Sequence, residues 1–441
     1  MKKSSLWWCC CAVLLLSACK EDGDGGGGQI DPPGGGDNGP ATLTVSGKVL
    51  GEEGKPLADA LVLVVGKTAV TSDASGGFSV SGVTAPYDIA VVSSTKLNAI
   101  VYKGVTRKDP TLVLSNGAEV PTYRANVIGN IVNAQTPSAT VRDPEVVFVS
   151  SEGSSTSSTY DKTYSIYTTR PSWTGSVTTT GSLFAFQGER QSASSTLYTR
   201  FTGYGRRDNV GLANGATVER QHIPLSSVTS SFVAGTLSVP SGHTVLLKSV
   251  SMQLDAINPV YLFGEVGGGT SFSYAVPVVP QSNFLVSAVS TSQGQQSSAL
   301  GVKTSVAAGT NTVVLALKPP PVQSQPADNA TGVTRTNEFS WTASADSVHV
   351  ALFEKNTDKG GTPFAISVVT KGATTTLPDL SALGMALPAN TALEWSVQSH
   401  NPITSVDAML AGVSGGRVPA GVTEFYLSTS SVRTFTTAAT P

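Results

Sequence analysis

Short segments in which every second residue is apolar, separated by glycine, proline and serine, dominate this chain. Residues 42–49 alternate in this way, as a half-buried strand does. The 441 residues include 45 glycines and 25 prolines, and apolar positions seldom recur at helical spacing. The pattern predicts an all-β fold of tandem β-sandwiches, and the length allows three or four such domains behind an N-terminal leader.

The N-terminal leader has the features of an export signal. Lys2 and Lys3 precede an apolar stretch at residues 6–16, which is too short to span a bilayer. The sequence Leu-Ser-Ala-Cys that ends at Cys19 resembles a bacterial lipobox. The resemblance implies that residues 1–18 are a lipoprotein signal peptide and that Cys19 receives the lipid.

The cysteines favour the same interpretation. Cys9, Cys10 and Cys11 lie in the leader, so the mature chain keeps Cys19 alone and has no disulfide. A free thiol in an ordinary secreted protein is the alternative.

Residues 19–41 are rich in glycine and predict a disordered tether. Lys20 stands where an aspartate in Gram-negative lipoproteins marks retention in the inner membrane, so we expect the outer membrane or the cell surface. A solvated linker is the simpler alternative for this segment. Loss of Lys2 and Lys3 with the leader changes the net charge from −2 to −4. Such a charge argues against a nucleic-acid partner.

The first predicted domain covers residues 42–115. Gly47 and Val49, the Pro56-Leu57 pair with Ala60, and Gly76-Gly77 before Phe78 stand in order. These residues resemble the carboxypeptidase regulatory-like domain, a transthyretin-like β-sandwich. The resemblance implies a spacer, stabilising or binding module without catalysis. We expect Phe78 and Val80 on one face of the core, with Leu61, Leu63 and Val65 opposite.

Two further sandwich units are predicted at residues 122–228 and 230–318. The segments around Gly129 and Gly235 repeat the apolar–glycine–apolar pattern around Gly47 at unequal spacing. Two alternatives stay open. The similarity of the three segments arises by chance in a β-rich chain, or the two units form one composite domain.

The second unit carries a candidate ligand patch of aromatic and basic residues: Tyr198, Arg200, Phe201, Tyr204, Arg206 and Arg207. Rings beside guanidinium groups can stack on sugars or pair with anions, and Trp173 is a candidate to join them. The alternative is a hairpin whose aromatic residues face the core and whose arginines face water.

Beyond the prolines at 319–321, residues 322–438 resemble a fibronectin type III domain. Trp341, Trp395 and Phe435 carry the resemblance, and we interpret both tryptophans as core residues. Leu393 occupies the position of the family's corner tyrosine, so an immunoglobulin-like sandwich is the broader assignment.

No catalytic motif stands in a suitable context. Gly412, Ser414 and Gly416 match the hydrolase elbow, but Pro419 and Gly421 disfavour the helix that must follow. The four histidines, at positions 222, 243, 349 and 400, all precede Ser414 and are scattered. We therefore expect no cofactor, no metal and no enzymatic activity.

The sequence thus predicts a membrane-anchored, non-enzymatic extracytoplasmic lipoprotein that serves as a structural, adhesive or ligand-binding module. Its partners would be the membrane, through the lipid on Cys19, and an envelope protein or glycan. Two alternatives remain: a carbohydrate-binding accessory protein of an envelope enzyme system, and a hydrolase whose site is assembled across domains.

Overall fold

The computed structural model describes residues 42–51, 54–114, 121–155, 158–254, 259–344, 346–355, 363–411 and 422–441. The predicted signal peptide, Cys19 and the tether lie outside the described residues, and so does the motif around Ser414. Strands make up 55% and helices 3% of the structure, which confirms the all-β class.

The strands within the bounds of the four predicted domains, which we call the first, second, third and last units, follow the order of the chain. The first unit contains β1 (Leu43–Leu50), β2 (Leu61–Val64), β3 (Val70–Thr71), β4 (Gly77–Val83), β5 (Tyr87–Val92), β6 (Asn98–Val105) and β7 (Thr111–Val113). The second unit contains β8 (Thr122–Arg124), β9 (Asn126–Val132), β10 (Glu145–Ser150), β11 (Gly153–Ser155), β12 (Ser158–Asp161), β13 (Ile166–Thr169), β14 (Ser172–Thr174), β15 (Thr178–Glu189), β16 (Arg200–Ala213), β17 (Thr217–Val218), β18 (Ile223–Pro224) and β19 (Ser226–Ser227).

The third unit contains β20 (Ser230–Ser238), β21 (His243–Gln253), β22 (Val260–Val266), β23 (Ser271–Pro277), β24 (Asn283–Ser292), β25 (Ser298–Val306) and β26 (Val313–Ala316). The last unit contains β27 (Gln323–Gln325), β28 (Ala330–Val333), β29 (Phe339–Trp341), β30 (Val348–Glu354), β31 (Ala365–Thr370), β32 (Thr374–Thr375), β33 (Ala392–Asn401), β34 (Glu424–Thr429) and β35 (Arg433–Thr437). Its single-turn helix α1 (Val406–Met409) and two 3-10 turns, Gln293–Gln295 and Ser381–Leu383, are the helical elements of the described residues.

The first three units share one pairing plan. Each opening strand (β1, β9 or β20) pairs in parallel with a closing strand and antiparallel with a middle strand. A Cβ atom on Gly47, Gly129 or Gly235 would lie 2.2, 2.0 or 1.9 Å from a carbonyl oxygen across the sandwich edge. Only glycine permits that approach, which accounts for its recurrence in the three segments.

One sheet of fourteen strands runs through three of the four units. Strand β31 pairs in parallel with β6, where residues 365–369 face residues 98–102. Strand β34 pairs antiparallel with β25, where residues 424–429 face residues 298–303. The last unit therefore lies between the third unit and the first, an order that the chain sequence does not follow.

The expected facing of β2 is wrong by one residue. Val62 and Val64, rather than Leu61 and Leu63, share a core with Phe78. Leu61 and Leu63 point to the other face and pack against a core cluster made largely by the last unit, while Val65 is exposed. Residues 61–65 are all apolar, so they have no period that marks the inner face, and an offset of one residue exchanges the faces.

The second and third units are joined through their faces. The sheet β11-β10-β15-β16-β19 contributes Phe184, Phe186 and Phe201 to a cluster that also contains Phe272 and Tyr274 of β23. Within the described residues, no strand of that sheet pairs with a strand of another unit. Apolar side chains, rather than a backbone ladder, hold this junction together.

The last unit has an aromatic core of its own. The ring of Phe339 meets those of Phe353, Trp395 and Phe435 at centroid distances of 4.8, 5.1 and 5.2 Å, in edge-to-face arrangements. Trp341 and Trp395 are buried, which confirms the prediction that both are core residues. Such a cluster is typical of a sandwich whose two sheets are bridged by large side chains.

Candidate functional site

The aromatic members of the predicted patch lie at the junction of the second and third units. Tyr198 and Phe201 are buried, with ring centroids 4.4 Å apart. Tyr204 is half-buried and packs at 5.6 Å against Phe186. These rings face the third unit across the aromatic cluster.

The arginines of the patch each have a partner within the chain. Arg200 pairs with Glu189 across the β15–β16 ladder. Arg206 Nε donates to Asp208 Oδ1 at 2.6 Å, and Arg207 Nε donates to Gln221 Oε1 at 2.7 Å. Tyr198 and Phe201 thus face the core and Arg200 and Arg207 face water, as in the hairpin alternative. Arg206, in contrast, is half-buried with its guanidinium 5.3 Å from the ring centroid of Phe184.

Trp173 lies apart from the patch. It is buried in a cluster on the opposite face of the β15–β16 hairpin, and its Nε1 donates to the Ser176 carbonyl at 2.7 Å. The structure therefore does not bring it together with Tyr204 and Arg206.

A different concave surface lies where the first and last units meet. It is a shallow depression of about 320 Å³, open to solvent, at the end of the β6–β31 ladder, and we call it the seam cleft. Its polar lining comprises Lys103, Thr370, Lys371, Thr404, Ser405 and Asp407. Lys103 follows the last paired residue of β6, and Lys371 follows the end of β31, so the ladder places the two lysines at one edge.

Asp407 connects the two units at the rim of the seam cleft. Its carboxylate accepts hydrogen bonds from Thr106 N at 3.0 Å, from Thr106 Oγ1 and from Arg107 N at 3.3 Å. Burial raises the pKa of this carboxyl, but the hydrogen bonds from Thr106 and Arg107 outweigh it, so the pKa lies below its ordinary value. Asp407 is therefore a charged residue of the last unit that is hydrogen-bonded to the backbone of the first unit.

Two buried histidines lie on the strands beside the seam cleft. His349 Nε2 accepts from Ser344 N at 3.3 Å, whereas His349 Nδ1 and His400 Nε2 have no hydrogen-bond partner in the described structure. Burial lowers the pKa of both to about 4, and the charge of Lys371 contributes at His349. Both rings are therefore neutral at neutral pH.

The other two histidines have local polar partners. His222 Nδ1 accepts from Asn130 N at 3.3 Å, and the ring of His243 lies between the hydroxyls of Ser290 and Ser297. Among the described residues, no group of three or more His, Cys, Asp or Glu side chains is placed to hold a metal ion. Nor does that part of the chain contain a helix long and apolar enough to cross a membrane.

Sequence reasoning did not identify the seam cleft. Lys103 and Lys371 are single lysines separated by more than half of the chain, and neither belongs to a motif. The signal that would have located them is the pairing of β6 with β31, which has no local signature.

No family model and no curated protein matches the chain. Among solved structures, it is similar to the TIE protein of Bacillus anthracis at 9% identity and a TM-score of 0.15, over 63% of this chain and 50% of that one. It is similar to BcpA, the major pilin subunit of Bacillus cereus, at 9% identity and a TM-score of 0.14, over 63% of this chain and 99% of that one. It is similar to the pilus adhesin SpaC of Lactobacillus rhamnosus GG at 8% identity and a TM-score of 0.14, over 63% of this chain and 43% of that one. The chain spans half the length of the TIE protein, and TM-scores this low carry no argument about function.

Proposed function

We propose that this protein is a lipid-anchored, extracytoplasmic β-sandwich protein that acts as a structural or adhesive module without turnover. The observation that carries the proposal is the fourteen-stranded sheet, which joins the first, third and last units. A backbone ladder resists sliding of one strand along its partner, because all the hydrogen bonds in register would have to break together. Units joined by one continuous sheet keep a fixed arrangement, which suits a structural or adhesive protein on a surface.

The anchor rests on the sequence. Cys19 is the lone cysteine after the leader, it follows a lipobox-like segment, and a glycine-rich tether separates it from the first strand. We place the protein at the outer membrane or the cell surface, with an envelope protein or glycan as partner. The resemblances of the first and last units, to a carboxypeptidase regulatory-like domain and a fibronectin type III domain, fit a non-catalytic role.

Metabolic labelling with a palmitate analogue tests the anchor. Wild type should be labelled and Cys19→Ser should not, because the acceptor sulfur is absent. Cys11→Ser is the matched control, since it lies in the predicted leader and should leave labelling of the mature protein unchanged. Equal labelling of wild type and Cys19→Ser contradicts the proposal.

Retention tests the role of the anchored body. The wild-type protein should fractionate with the envelope, whereas Cys19→Ser should be released into the soluble fraction. Envelope proteins or glycans should be captured by the purified chain and should be recovered chemically unchanged. Sustained turnover of a glycan, peptide or ester by that chain would contradict the non-enzymatic assignment.

A further inference from the structure

The seam cleft exists only because two distant parts of the chain meet. Lys103 comes from the first unit, while Thr370, Lys371, Thr404 and Ser405 come from the last. Its volume of about 320 Å³ lies at the lower end of the range of small-ligand pockets. The lining of the cleft therefore comes from both sides of the seam.

The charges that line the cleft favour an anion. Lys103 and Lys371 contribute two positive charges, and Asp407 contributes one negative charge that is engaged by Thr106 and Arg107. Lys371 follows the end of β31, and its Nζ donates to the Ser347 carbonyl at 3.1 Å. The lining is thus positive on a chain whose net charge is −2.

Hydroxyl groups line the same space. Ser405 Oγ accepts from Ala408 N at 3.1 Å, and Thr370 Oγ1 accepts from Gly372 N at 3.0 Å. These backbone bonds orient the two oxygens, and each hydroxyl still carries its own hydrogen as a donor. Thr404 adds a third, exposed hydroxyl. A ligand with several hydroxyl groups of its own matches such a lining.

We propose that the seam cleft binds an acidic sugar, a polyhydroxylated ring that carries one carboxylate or phosphate group. The anionic group lies between Lys103 and Lys371, and the ring hydroxyls face Thr404 and Ser405. A uronate and a phosphosugar share this chemistry, and the experiment distinguishes them. The site goes beyond the structural role proposed above and does not depend on the lipid at Cys19.

The size and exposure of the site set its affinity. Lys371 and Thr404 are exposed to solvent, so their interactions are screened by water and salt. A dissociation constant on the order of 1 mM is expected for one such sugar. Binding should weaken as the salt concentration rises, because two lysines provide most of the attraction.

The test is a titration of the full-length chain in detergent with sodium glucuronate, glucose 6-phosphate or glucose, followed by ligand-observed NMR. At least one of the two acidic sugars should bind saturably, and glucose should bind at least about tenfold more weakly. Preference for glucuronate or for glucose 6-phosphate identifies the anionic group as a carboxylate or a phosphate.

Variants of Lys103 locate the site. Lys103→Glu should weaken binding of the preferred sugar at least about tenfold, and Lys103→Arg should retain it because the charge is kept. The matched control is Lys67→Glu, an exposed lysine of the same unit outside the cleft, which should leave binding unchanged. Circular dichroism verifies that each variant is folded.

Two results would overturn the proposal. One is the absence of saturable binding of either acidic sugar to the folded wild-type chain at millimolar concentrations. The other is equal affinity of wild type and folded Lys103→Glu for the preferred sugar. Neither result bears on labelling of Cys19 or on envelope retention, so failure here is distinguishable from failure of the structural proposal.

Discussion

Two of the junctions in this protein join β-sandwiches by different means. At the seam, β6 of the first unit and β31 of the last unit share a parallel ladder, and the cores on both sides of the sheet run across it. At the face junction, the β15–β16 hairpin of the second unit presents aromatic rings to the third unit, and no strand pairing links the two sheets in the described residues.

The difference shows what each kind of contact specifies. A ladder fixes direction and register, because each backbone group must meet one partner. A face contact fixes the area that is removed from water and tolerates small rotations, because apolar attraction has no direction. The seam should therefore respond to changes in register, whereas the face junction should respond to changes in volume.

A disulfide across the seam should give the largest effect. Ile100 and Ser367 are opposite each other in the ladder, and both are half-buried. Paired strands are about 4.8 Å apart, within reach of a disulfide. In the chain from residue 42 onward, which has no cysteine, Ile100→Cys with Ser367→Cys should oxidise readily. Closing so long a loop should raise the free energy of unfolding by on the order of 5 kcal/mol in the chain-entropy model.

Thiol titration and chemical denaturation measure the two outcomes. The matched control pairs Ile100→Cys with Ala365→Cys, which is two residues out of register and about 8 Å away. This pair should stay reduced. Equal oxidation of both pairs would mean that the seam does not hold one register.

Removing volume from the face junction should come next. Phe201 is 1% exposed and lies among Phe186 and Tyr198, so Phe201→Ala leaves a cavity and should cost about 3–5 kcal/mol in unfolding free energy. Limited proteolysis should then cut between the second and third units. The control is Phe232→Ala, because Phe232 is 50% exposed and its loss should change stability little. Equal losses from both variants would contradict the role of the aromatic cluster.

Acid should weaken the last unit through its buried histidines. Burial lowers the pKa of His349 and His400 from 6.5 to about 4, so between these pH values the unfolded chain binds more protons than the folded one. The free energy of unfolding that depends on these two neutral rings is fully present above about pH 6.5 and is lost as the pH falls through about 4. It amounts to at most ~3 kcal/mol for each histidine.

Urea unfolding at a series of pH values measures this loss. Replacing both buried histidines with glutamine should flatten the profile between pH 6.5 and 4, whatever its effect on stability at pH 7. His222→Gln is the control for loss of a histidine, because His222 is exposed and belongs to the second unit rather than the last. An unaltered slope in the double variant would show that other groups cause the acid sensitivity.

The smallest effect should come from the rim of the face junction. Arg200 pairs with Glu189 at an exposed site, so Arg200→Ala should cost less than about 1 kcal/mol. Glu189→Gln removes the same charge pair from the other side and should have a similar effect. A loss above about 2 kcal/mol in thermal unfolding would assign Arg200 a structural role that an exposed pair does not supply.

Local chemistry predicted several features of the fold. Alternation predicted strands, and the echoes around Gly47, Gly129 and Gly235 marked the three strands whose glycines permit a close backbone approach. The interpretation of Trp341 and Trp395 as core residues is confirmed, since both are buried. The facing of Leu61 and Leu63 was assigned wrongly, because the last unit covers the second face of their strand.

Residues 42 onward thus determine by themselves that the chain forms strands, which three strands need a glycine for a close backbone approach, and that Trp341 and Trp395 become buried. The tertiary structure alone decided that the last unit lies between the third and the first, that the rings beside Tyr204 face another unit, and that Lys103 and Lys371 line one cleft. The physical reason is that these arrangements depend on ladders between distant strands. The N–H and C=O groups that form such ladders are the same in nearly every residue, so the amino-acid sequence does not mark which strands will meet.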